Sequence, residues 1–289
     1  MDKKLSVAII AGYVGKSPEE VAYSFIFDEA YRLAQRGLNV HVVRSRIEED
    51  SLSYGIHFHG IERRIDIQVL DLLLKNITNY PLISFLRNPK RLYWENLYAL
   101  NVSKVIERND VNLIHAHFAY PEGLVGLIAK KYTGVPLIVT SHGYDLNVIK
   151  EYRYGVRIYP QYDALTRLVM RESDCIIVPS NLLYKKALEA GAKPSKTFLI
   201  PNAVDTNIFR PNLNGHRFRK KYRLGNDPIV LTIRALKPWY HIEKILSVAK
   251  IVLKKIKCNF VVIGEGEMGL KLSMLAKKFG MQKIHFIRV

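Results

Sequence analysis

Three histidines follow predicted strands, and they are the side chains best placed to do chemistry. His115 and His117 come directly after the apolar run 111–114, and His142 comes after a second apolar run, 136–140. In an open α/β sheet, ligands bind at the carboxyl ends of the strands. We therefore expect the three imidazoles to face one crevice. For each histidine taken singly, capping a strand is the competing interpretation.

The segment between these two runs has the pattern of a helix. Apolar residues recur at helical spacing over 123–132, and Gly134 followed by Pro136 is a helix-stop signal. Strand, helix and strand together form a βαβ unit. The unit directs the two strands, and the histidines that follow them, to the same edge of one sheet.

The chain opens with a comparable unit. A predicted strand, 5–11, leads into a turn that contains Gly12 and Gly15, and the segment 17–20 has the pattern of a capping box with proline at the first helical position. The helix should then extend to about residue 35. A glycine turn that feeds a helix N-terminus can bind anions, because unpaired N–H groups and the helix dipole point at the ligand. An ordinary strand-to-helix turn is the alternative, since Gly-x-x-Gly is a weak signal.

The charge balance favours anionic partners. The chain has 44 Lys and Arg against 26 Asp and Glu, a formal net charge of +18. Such an excess suits a nucleotide diphosphate or an anionic membrane surface. The basic residues are scattered rather than collected in one tract, so we expect no nucleic-acid partner. The basic and aromatic helical segment 65–108 suits a membrane interface or an amphiphilic acceptor, with an ordinary solvated face as the alternative.

The cysteines and the hydropathy pattern bear on the compartment. Cys175 and Cys258 both lie in apolar runs, which favours buried thiols in a reducing cytosol over a disulfide. No apolar run approaches the ~20 residues that a membrane-spanning helix needs. We expect a cytoplasmic protein, either soluble or peripheral on the inner face of the membrane.

Alternation of strands and helices restarts in the last part of the chain. The pattern predicts an α/β fold with two Rossmann-like, doubly wound domains, 1–205 and 228–289, joined by a polar connection, 206–227. The second domain should be incomplete, because a few strands and helices leave a small, one-sided sheet with an exposed edge. Its predicted elements are strands 229–233, 259–263 and 283–287 and helices 241–255 and 268–278.

Taken in order, these segments resemble the retaining nucleotide-sugar glycosyltransferases of family 4. That family has the GT-B fold, in which two Rossmann-like domains face each other across a cleft. The resemblance implies transfer of a hexose from a UDP- or GDP-sugar to a glycan, a lipid or another acceptor, with retention of configuration and with neither cofactor nor metal. It is carried by Gly12 to Gly15, 37–43, 115–123, 134–143, 178–180, 200–209, 231–236 and 262–266.

The resemblance also assigns roles to single residues. His142 matches the histidine that contacts the transferred sugar, and Arg234 matches the arginine that neutralises the donor diphosphate, so both are predicted catalytic residues. Fixed cations can stabilise the charge that develops on a leaving diphosphate without a metal. The predicted donor site is Gly12, Gly15, Arg234, Lys237, Gly264 and Glu265, and the predicted acceptor side or cleft is His115, His117, Glu122, Tyr144 and Asp145.

Two departures from the family pattern concern the donor site. The lysine that usually follows the arginine by five or six positions is replaced by Trp239 and Tyr240, and Lys237 is the candidate substitute. The Glu-x7-Glu motif that grips the donor would lie beyond Val289. The sequence therefore predicts a truncated family member that is a weak catalyst by itself.

Two other interpretations stay open. His115-x-His117 places two imidazoles on one face of a strand, as in a zinc-dependent hydrolase, with His142 and Asp145 as further ligands. The chain could also be a catalytically inactive remnant that serves as a binding module. A dinucleotide oxidoreductase is disfavoured, because Gly-x-Gly-x-x-Gly does not follow the first strand.

Overall fold

The computed structural model describes residues 5–20, 23–62, 67–76 and 80–288. The chain divides into two compact units, Met1–Asn202 and Ala203–Val289, each with its own sheet. None of the helices in the described ranges combines the length and the apolar content of a bilayer-spanning segment.

The N-terminal unit is built on an eight-stranded sheet with the order β3-β4-β2-β1-β5-β6-β7-β8. The pairs are parallel except β3 with β4. The strand order reverses between β1 and β5, and at such a switch point the loops part and leave a crevice at the carboxyl ends. The strands are β1 (Ser6–Ile10), β2 (Asn39–Val43), β3 (Ser51–Ser53), β4 (Ile56–His59), β5 (Leu113–His117), β6 (Leu137–Thr140), β7 (Cys175–Val178) and β8 (Thr197–Leu199).

Apolar cores cover both faces of this sheet. Val7 and Ile9 of β1 belong to the core on one face, and Ala8 and Ile10 belong to the core on the other, as the two-residue period of a strand requires. The helices are α1 (Ser24–Gln35), α2 (Ile67–Asn76), α3 (Leu82–Arg87), α4 (Pro89–Arg108), α5 (Glu122–Thr133), α6 (Pro160–Glu172) and α7 (Asn181–Glu189).

The β3–β4 hairpin was not predicted from the sequence. Its turn residues, Tyr54 and Gly55, have φ values of 52° and 75°. Positive φ at both positions matches the right-handed twist of the strands, and Gly at the second position is a known signal for such a turn. β4 extends the sheet beyond β2, and β3 forms the outer edge.

The predicted start of α1 is wrong. The helix begins at Ser24, and Tyr23 precedes it in the left-handed region at φ 51° without a side-chain cap. The capping box does not form, because the Glu20 carboxylate accepts the N–H of Lys16 (3.1 Å) and not that of Ser17. The glycine turn therefore does not lead directly into the helix N-terminus.

The second unit has a three-stranded parallel sheet with the order β11-β10-β9. Phe260 and Val262 of β10 pack with the α9 and α10 side, and Val261 packs on the opposite face with Leu224. The sheet is thus not one-sided, because α8 and the residues after it, all within 206–227, cover that second face. The elements are α8 (His216–Lys221), β9 (Ile229–Ile233), α9 (Glu243–Val252), β10 (Asn259–Ile263), α10 (Gly269–Lys278) and β11 (Ile284–Ile287).

Candidate active site

The carboxyl ends of β5 and β6 bring His115, His117 and His142 together. His117 at the end of β5 is in register with Thr140 at the end of β6. His142 follows Thr140 by two positions, and its side chain contacts His117. Nδ1 of His117 lies 2.9 Å from Nε2 of His142, and the two rings stack with centroids 5.2 Å apart. Nε2 of His115 lies 2.7 Å from the Thr140 hydroxyl. We call His115, His117 and His142 the cleft histidines.

A carboxylate that was not predicted from the sequence, Glu29, completes this group. Glu29 of α1 places Oε1 3.1 Å from Nδ1 of His115 and Oε2 3.8 Å from Nε2 of His117. A signal was present in the sequence, since Glu29 interrupts the apolar stripe that Ile26 and Ala30 form on α1. Its partners are more than eighty residues away along the chain, and that pairing is not visible locally.

Burial controls the protonation of the cleft histidines. Burial, together with the neighbouring His115 and His142, lowers the pKa of His117 well below its ordinary value. Burial also lowers the pKa of His142, although the carboxylates of Asp145 and Glu29 act in the opposite direction. The imidazoles of His117 and His142 are therefore neutral at physiological pH, so each can donate one hydrogen bond and accept another.

Asp145, predicted for the acceptor side or cleft, is fully buried and holds backbone. Oδ1 accepts the N–H groups of His142 (3.2 Å) and Gly143 (3.0 Å), and Oδ2 accepts the N–H of Ala119 (2.7 Å). The side chain thus ties the loop after β6 to the loop after β5. Its oxygens accept three backbone N–H groups, and Asp145 does not belong to the one cluster of possible metal ligands among the described residues, so the structure does not support it as the ligand that the hydrolase interpretation proposed.

Glu122, also predicted for the cleft, is the first residue of α5 and reaches the turn after β1. Its Oε1 accepts the N–H of Gly12 at 3.0 Å. Burial raises the pKa of this carboxyl to about 7, while its own backbone N–H and that of Gly12 oppose the shift. The N–H of Gly12 is therefore paired within the protein. A donor-binding role for Gly12 and Gly15 stays a prediction.

An aromatic cavity of about 450 Å³ opens beside these residues. Arg91 on its wall donates through Nε to Oε1 of Glu95 (3.0 Å), and the hydroxyl of Tyr120 donates to the same oxygen. Tyr144, a predicted cleft residue, is 47% exposed at this cavity. The wall consists of Ala11, Gly12, Tyr13, Tyr23, Ile26, Arg91, Phe118, Tyr120, Pro121, Glu122, Tyr144, Val156 and Tyr162.

The predicted donor residues of the second unit lie on two neighbouring loops, Arg234 and Lys237 after β9 and Gly264 and Glu265 after β10. The exposed guanidinium of Arg234 lies over the ring of Tyr240, 3.7 Å from the ring centroid. The Lys237 ammonium lies 5.8 Å from the ring centroid of Trp239. Gly264 has φ 143°, and a Cβ there would collide with the carbonyl oxygen of Arg234. The carbonyl of Glu265 accepts the N–H of Leu236 at 2.7 Å. Gly264 and Glu265 thus fix the backbone that presents Arg234.

A sequence model of one protein family, described as Glycosyltransferase Family 4, matches residues 24–208, which is more than half of the chain. The chain belongs to glycosyltransferase family 4. The resemblance inferred from the ordered motifs is thereby confirmed.

The curated relatives that the chain matches are also glycosyltransferases. The chain is 27% identical to an uncharacterized glycosyltransferase of Methanocaldococcus jannaschii, MJ1178, over 195 residues, covering 68% of this chain and 48% of that protein. It is 23% identical over 145 residues, 50% of this chain and 36% of the relative, to a GDP-mannose-dependent alpha-(1-6)-phosphatidylinositol monomannoside mannosyltransferase of Mycolicibacterium smegmatis. The chain spans about half the length of the curated relatives it matches.

The fold comparison supports the predicted architecture. The crystal structure of Anabaena Alr3699/HepE in complex with UDP and glucose matches with a TM-score of 0.65 at 15% identity, covering 98% of this chain and 69% of that one. At this identity the likeness shows a shared fold. The prediction of a GT-B fold with Rossmann-like domains is confirmed.

Proposed function

We propose that this family 4 chain transfers a hexose from a UDP- or GDP-sugar to a glycan or lipid-linked acceptor, with retention of configuration. One observation supports the proposal: His142, which belongs to the ordered family motifs, follows the carboxyl end of β6 and lies beside the aromatic cavity. Phe118 on the cavity wall packs against His142, with ring centroids 4.9 Å apart. Retention is inherited from the family resemblance.

The donor would be recognised by charge and by stacking. In this proposal Arg234, with Lys237, neutralises the diphosphate as negative charge develops on the leaving group, and no metal or cofactor takes part in that step. UDP is bound in the Anabaena structure and the Mycolicibacterium relative depends on GDP-mannose, so both bases are retained for this chain.

The acceptor would enter the aromatic cavity of the N-terminal unit. Tyrosine rings offer flat apolar faces with polar tips, which suits a sugar ring or another amphiphilic group. Tyr23, Tyr120 and Tyr144 supply such faces there. His142 at the end of β6 would then contact the transferred sugar between donor and acceptor.

The experiment is a donor panel with matched arginine variants in the full chain. Nucleoside diphosphate release would be measured with UDP- and GDP-hexoses and with glycan and polyprenyl acceptors. Arg234→Ala should lower kcat/KM by roughly 10²–10³-fold, as for loss of one group that stabilises developing charge. Arg217→Ala changes an exposed arginine of the same unit and should leave kcat/KM unchanged.

Two outcomes would contradict this function. Release of no nucleoside diphosphate from any donor would exclude transfer by the chain, and equal losses in the two arginine variants would exclude the role of Arg234. Arg234→Lys separates charge from geometry, because lysine keeps the charge and loses the paired donors of the guanidinium.

We also propose a peripheral position on an anionic membrane surface at the cytoplasmic face. Large apolar side chains on α2 and α3 are exposed: Leu74 by 68%, Leu82 by 72% and Leu86 by 72%. Exposed Arg87 and Lys90 lie beside them on α3 and α4. Apolar residues flanked by bases are typical of an interfacial helix surface.

A vesicle assay tests this position. The protein should sediment with vesicles that contain anionic lipid and not with neutral ones, and Leu82→Asp should reduce the bound fraction. Leu270→Asp, at a position that is 68% exposed in the second unit, is the matched control. Equal binding of all three proteins would rule out this surface.

A further inference from the structure

Glu29, His115 and His117 converge on one point in the N-terminal unit. One ligand atom from each, a carboxylate oxygen and two ring nitrogens, lies within 4.8 Å of the others. Among the residues that the structure describes, this is the one group of at least three such side chains that meets this geometry. Two imidazoles and a carboxylate form a common ligand set for Zn²⁺ and for other divalent transition metals.

The separations between the carboxylate and the two imidazoles are close to those around a tetrahedral ion. Bonds of about 2.05 Å to a tetrahedral zinc place neighbouring ligand atoms about 3.3 Å apart. Glu29 Oε1 lies 3.1 Å from Nδ1 of His115, and Oε2 lies 3.8 Å from Nε2 of His117. Rotation of the Glu29 side chain, which is 38% exposed, can adjust the carboxylate, and the three ligand atoms all lie within 4.8 Å of one another.

In both imidazoles, the ring nitrogen that faces away from Glu29 already has a polar partner. Nε2 of His115 lies 2.7 Å from the Thr140 hydroxyl, and Nδ1 of His117 lies 2.9 Å from Nε2 of His142. Protein ligands to metals usually have such outer partners, which fix the ring and the tautomer. The inner nitrogens, Nδ1 of His115 and Nε2 of His117, are thereby directed at Glu29.

The Nε2 atom of His117 supplies an independent observation. His117 is 0% exposed, and this atom has no hydrogen-bond partner. A buried polar atom without a partner is costly, and in native proteins it calls for an explanation such as an ion. A cation held between Nε2 and the Glu29 carboxylate would satisfy it.

We propose that Glu29, His115 and His117 bind one divalent transition-metal ion of the zinc type. The half-exposed Glu29 side leaves a fourth position for water and a route of entry. The ion fixes His117, and His117 contacts His142 through its other nitrogen, so the ion acts as a positioning element for His142. The site is separate from the diphosphate contact assigned to Arg234 and does not depend on the proposed transfer reaction.

Titration of the chelator-treated full chain with Co²⁺ and then Zn²⁺ tests the site without any donor. Co²⁺ should give the visible absorption of a four-coordinate ion at one equivalent, and Zn²⁺ should displace it. Glu29→Gln should weaken Co²⁺ binding at least tenfold. Thr140→Val, which removes the partner of His115, should weaken it by about 10-fold, as losses of outer partners do.

His57→Gln is the matched control, because the partly buried His57 stacks on the buried His41 of the same sheet. Its affinity for Co²⁺ should equal that of the wild type. Thermal unfolding checks that each variant is folded, and Glu29 is exposed enough for its replacement to leave the core in place. Binding that is equal in the wild type and Glu29→Gln, or lost equally in His57→Gln, would overturn the proposal.

Nitrogen NMR of the imidazoles provides the readout for positioning. Zn²⁺ should shift the ring signals of His142 in the wild type and leave them unchanged in Glu29→Gln. If zinc binds at one equivalent without moving those signals, the positioning role is wrong even though a metal site exists.

Discussion

Two groups of histidines lie on the same sheet in different surroundings. The cleft histidines lie at the carboxyl ends of β5 and β6, next to the point between β1 and β5 where the strand order reverses. The second group, which we call the edge histidines, lies on β2 and β4 near the outer edge and consists of His41, His57 and His59. In both groups two ring nitrogens lie about 3 Å apart: 2.9 Å between His117 and His142, and 3.0 Å between His41 and His59.

The partners differ more than the rings do. The edge group ends on Asp50, whose side chain is 68% exposed and lies 2.8 Å from Nδ1 of His59. In the cleft group, His115 contacts the carboxylate of Glu29, and His142 packs against Phe118 of the cavity wall. None of the edge histidines lines that cavity. Closely packed imidazoles therefore do not by themselves mark a site. The sheet topology decides which group can meet a ligand.

The largest contrast should appear in turnover. His142→Ala should lower kcat by roughly 10²-fold or more, because in the proposed function this side chain contacts the transferred sugar in the transition state. His57→Ala should leave kcat near the wild-type value. The rates and KM values would come from steady-state assays on the donor identified by the panel. Similar kinetics for both variants would erase the functional difference between the two groups.

Glu122, at the carboxyl edge of the sheet, should make the free energy of unfolding depend on pH. The folded-state pKa of about 7 exceeds the ordinary value of 4.5, so the folded protein holds this proton more tightly than the unfolded chain. The free energy of unfolding should therefore fall as pH rises from 4.5 to 7, by about 3 kcal/mol from this group. Urea unfolding of the wild type and Glu122→Gln would measure it. An unchanged pH slope in the variant would contradict the assignment.

A smaller loss should follow from freeing the loop that carries His142. Asp145→Asn keeps the size of the side chain and removes the charge and one of the acceptors that hold three N–H groups. We expect a loss of about 2 kcal/mol in the free energy of unfolding. Asp50→Asn, at the exposed end of the edge group, should cost much less. Equal losses of unfolding free energy in Asp145→Asn and Asp50→Asn would contradict this difference between the two groups.

A pH effect of the opposite sign to that of Glu122 should come from His41. Burial and the neighbouring His59 and His57 lower the pKa of His41 to about 4 from 6.5. The unfolded chain binds the proton more tightly here, so stability should be lost as pH falls from 6.5 towards 4. His41→Gln should flatten the fall in Tm over this range. His216→Gln, an exposed change in the second unit, should leave the fall unchanged.

The sequence by itself determined the elements and the family. Periods of 2 and 3.6 residues are local properties, so they located the central strands, most of the helices and the family motifs. Parallel strands share one carboxyl edge, and that rule was enough to predict that His115, His117 and His142 would meet. Predictions from short local signals were less successful. The capping box predicted at Ser17–Glu20 is a turn, and the hairpin around Gly55 was not predicted.

Only the tertiary structure decided the partners of the site residues. Glu29 meets β5, Glu122 reaches Gly12 across 110 positions of the chain, and Asp145 turns inward to hold backbone. These contacts depend on the order of strands in the sheet and on which side chains are buried, and no local pattern encodes either. Burial also sets the pKa values of Glu122 and His117, because removing a carboxyl or an imidazole from water disfavours its charged form.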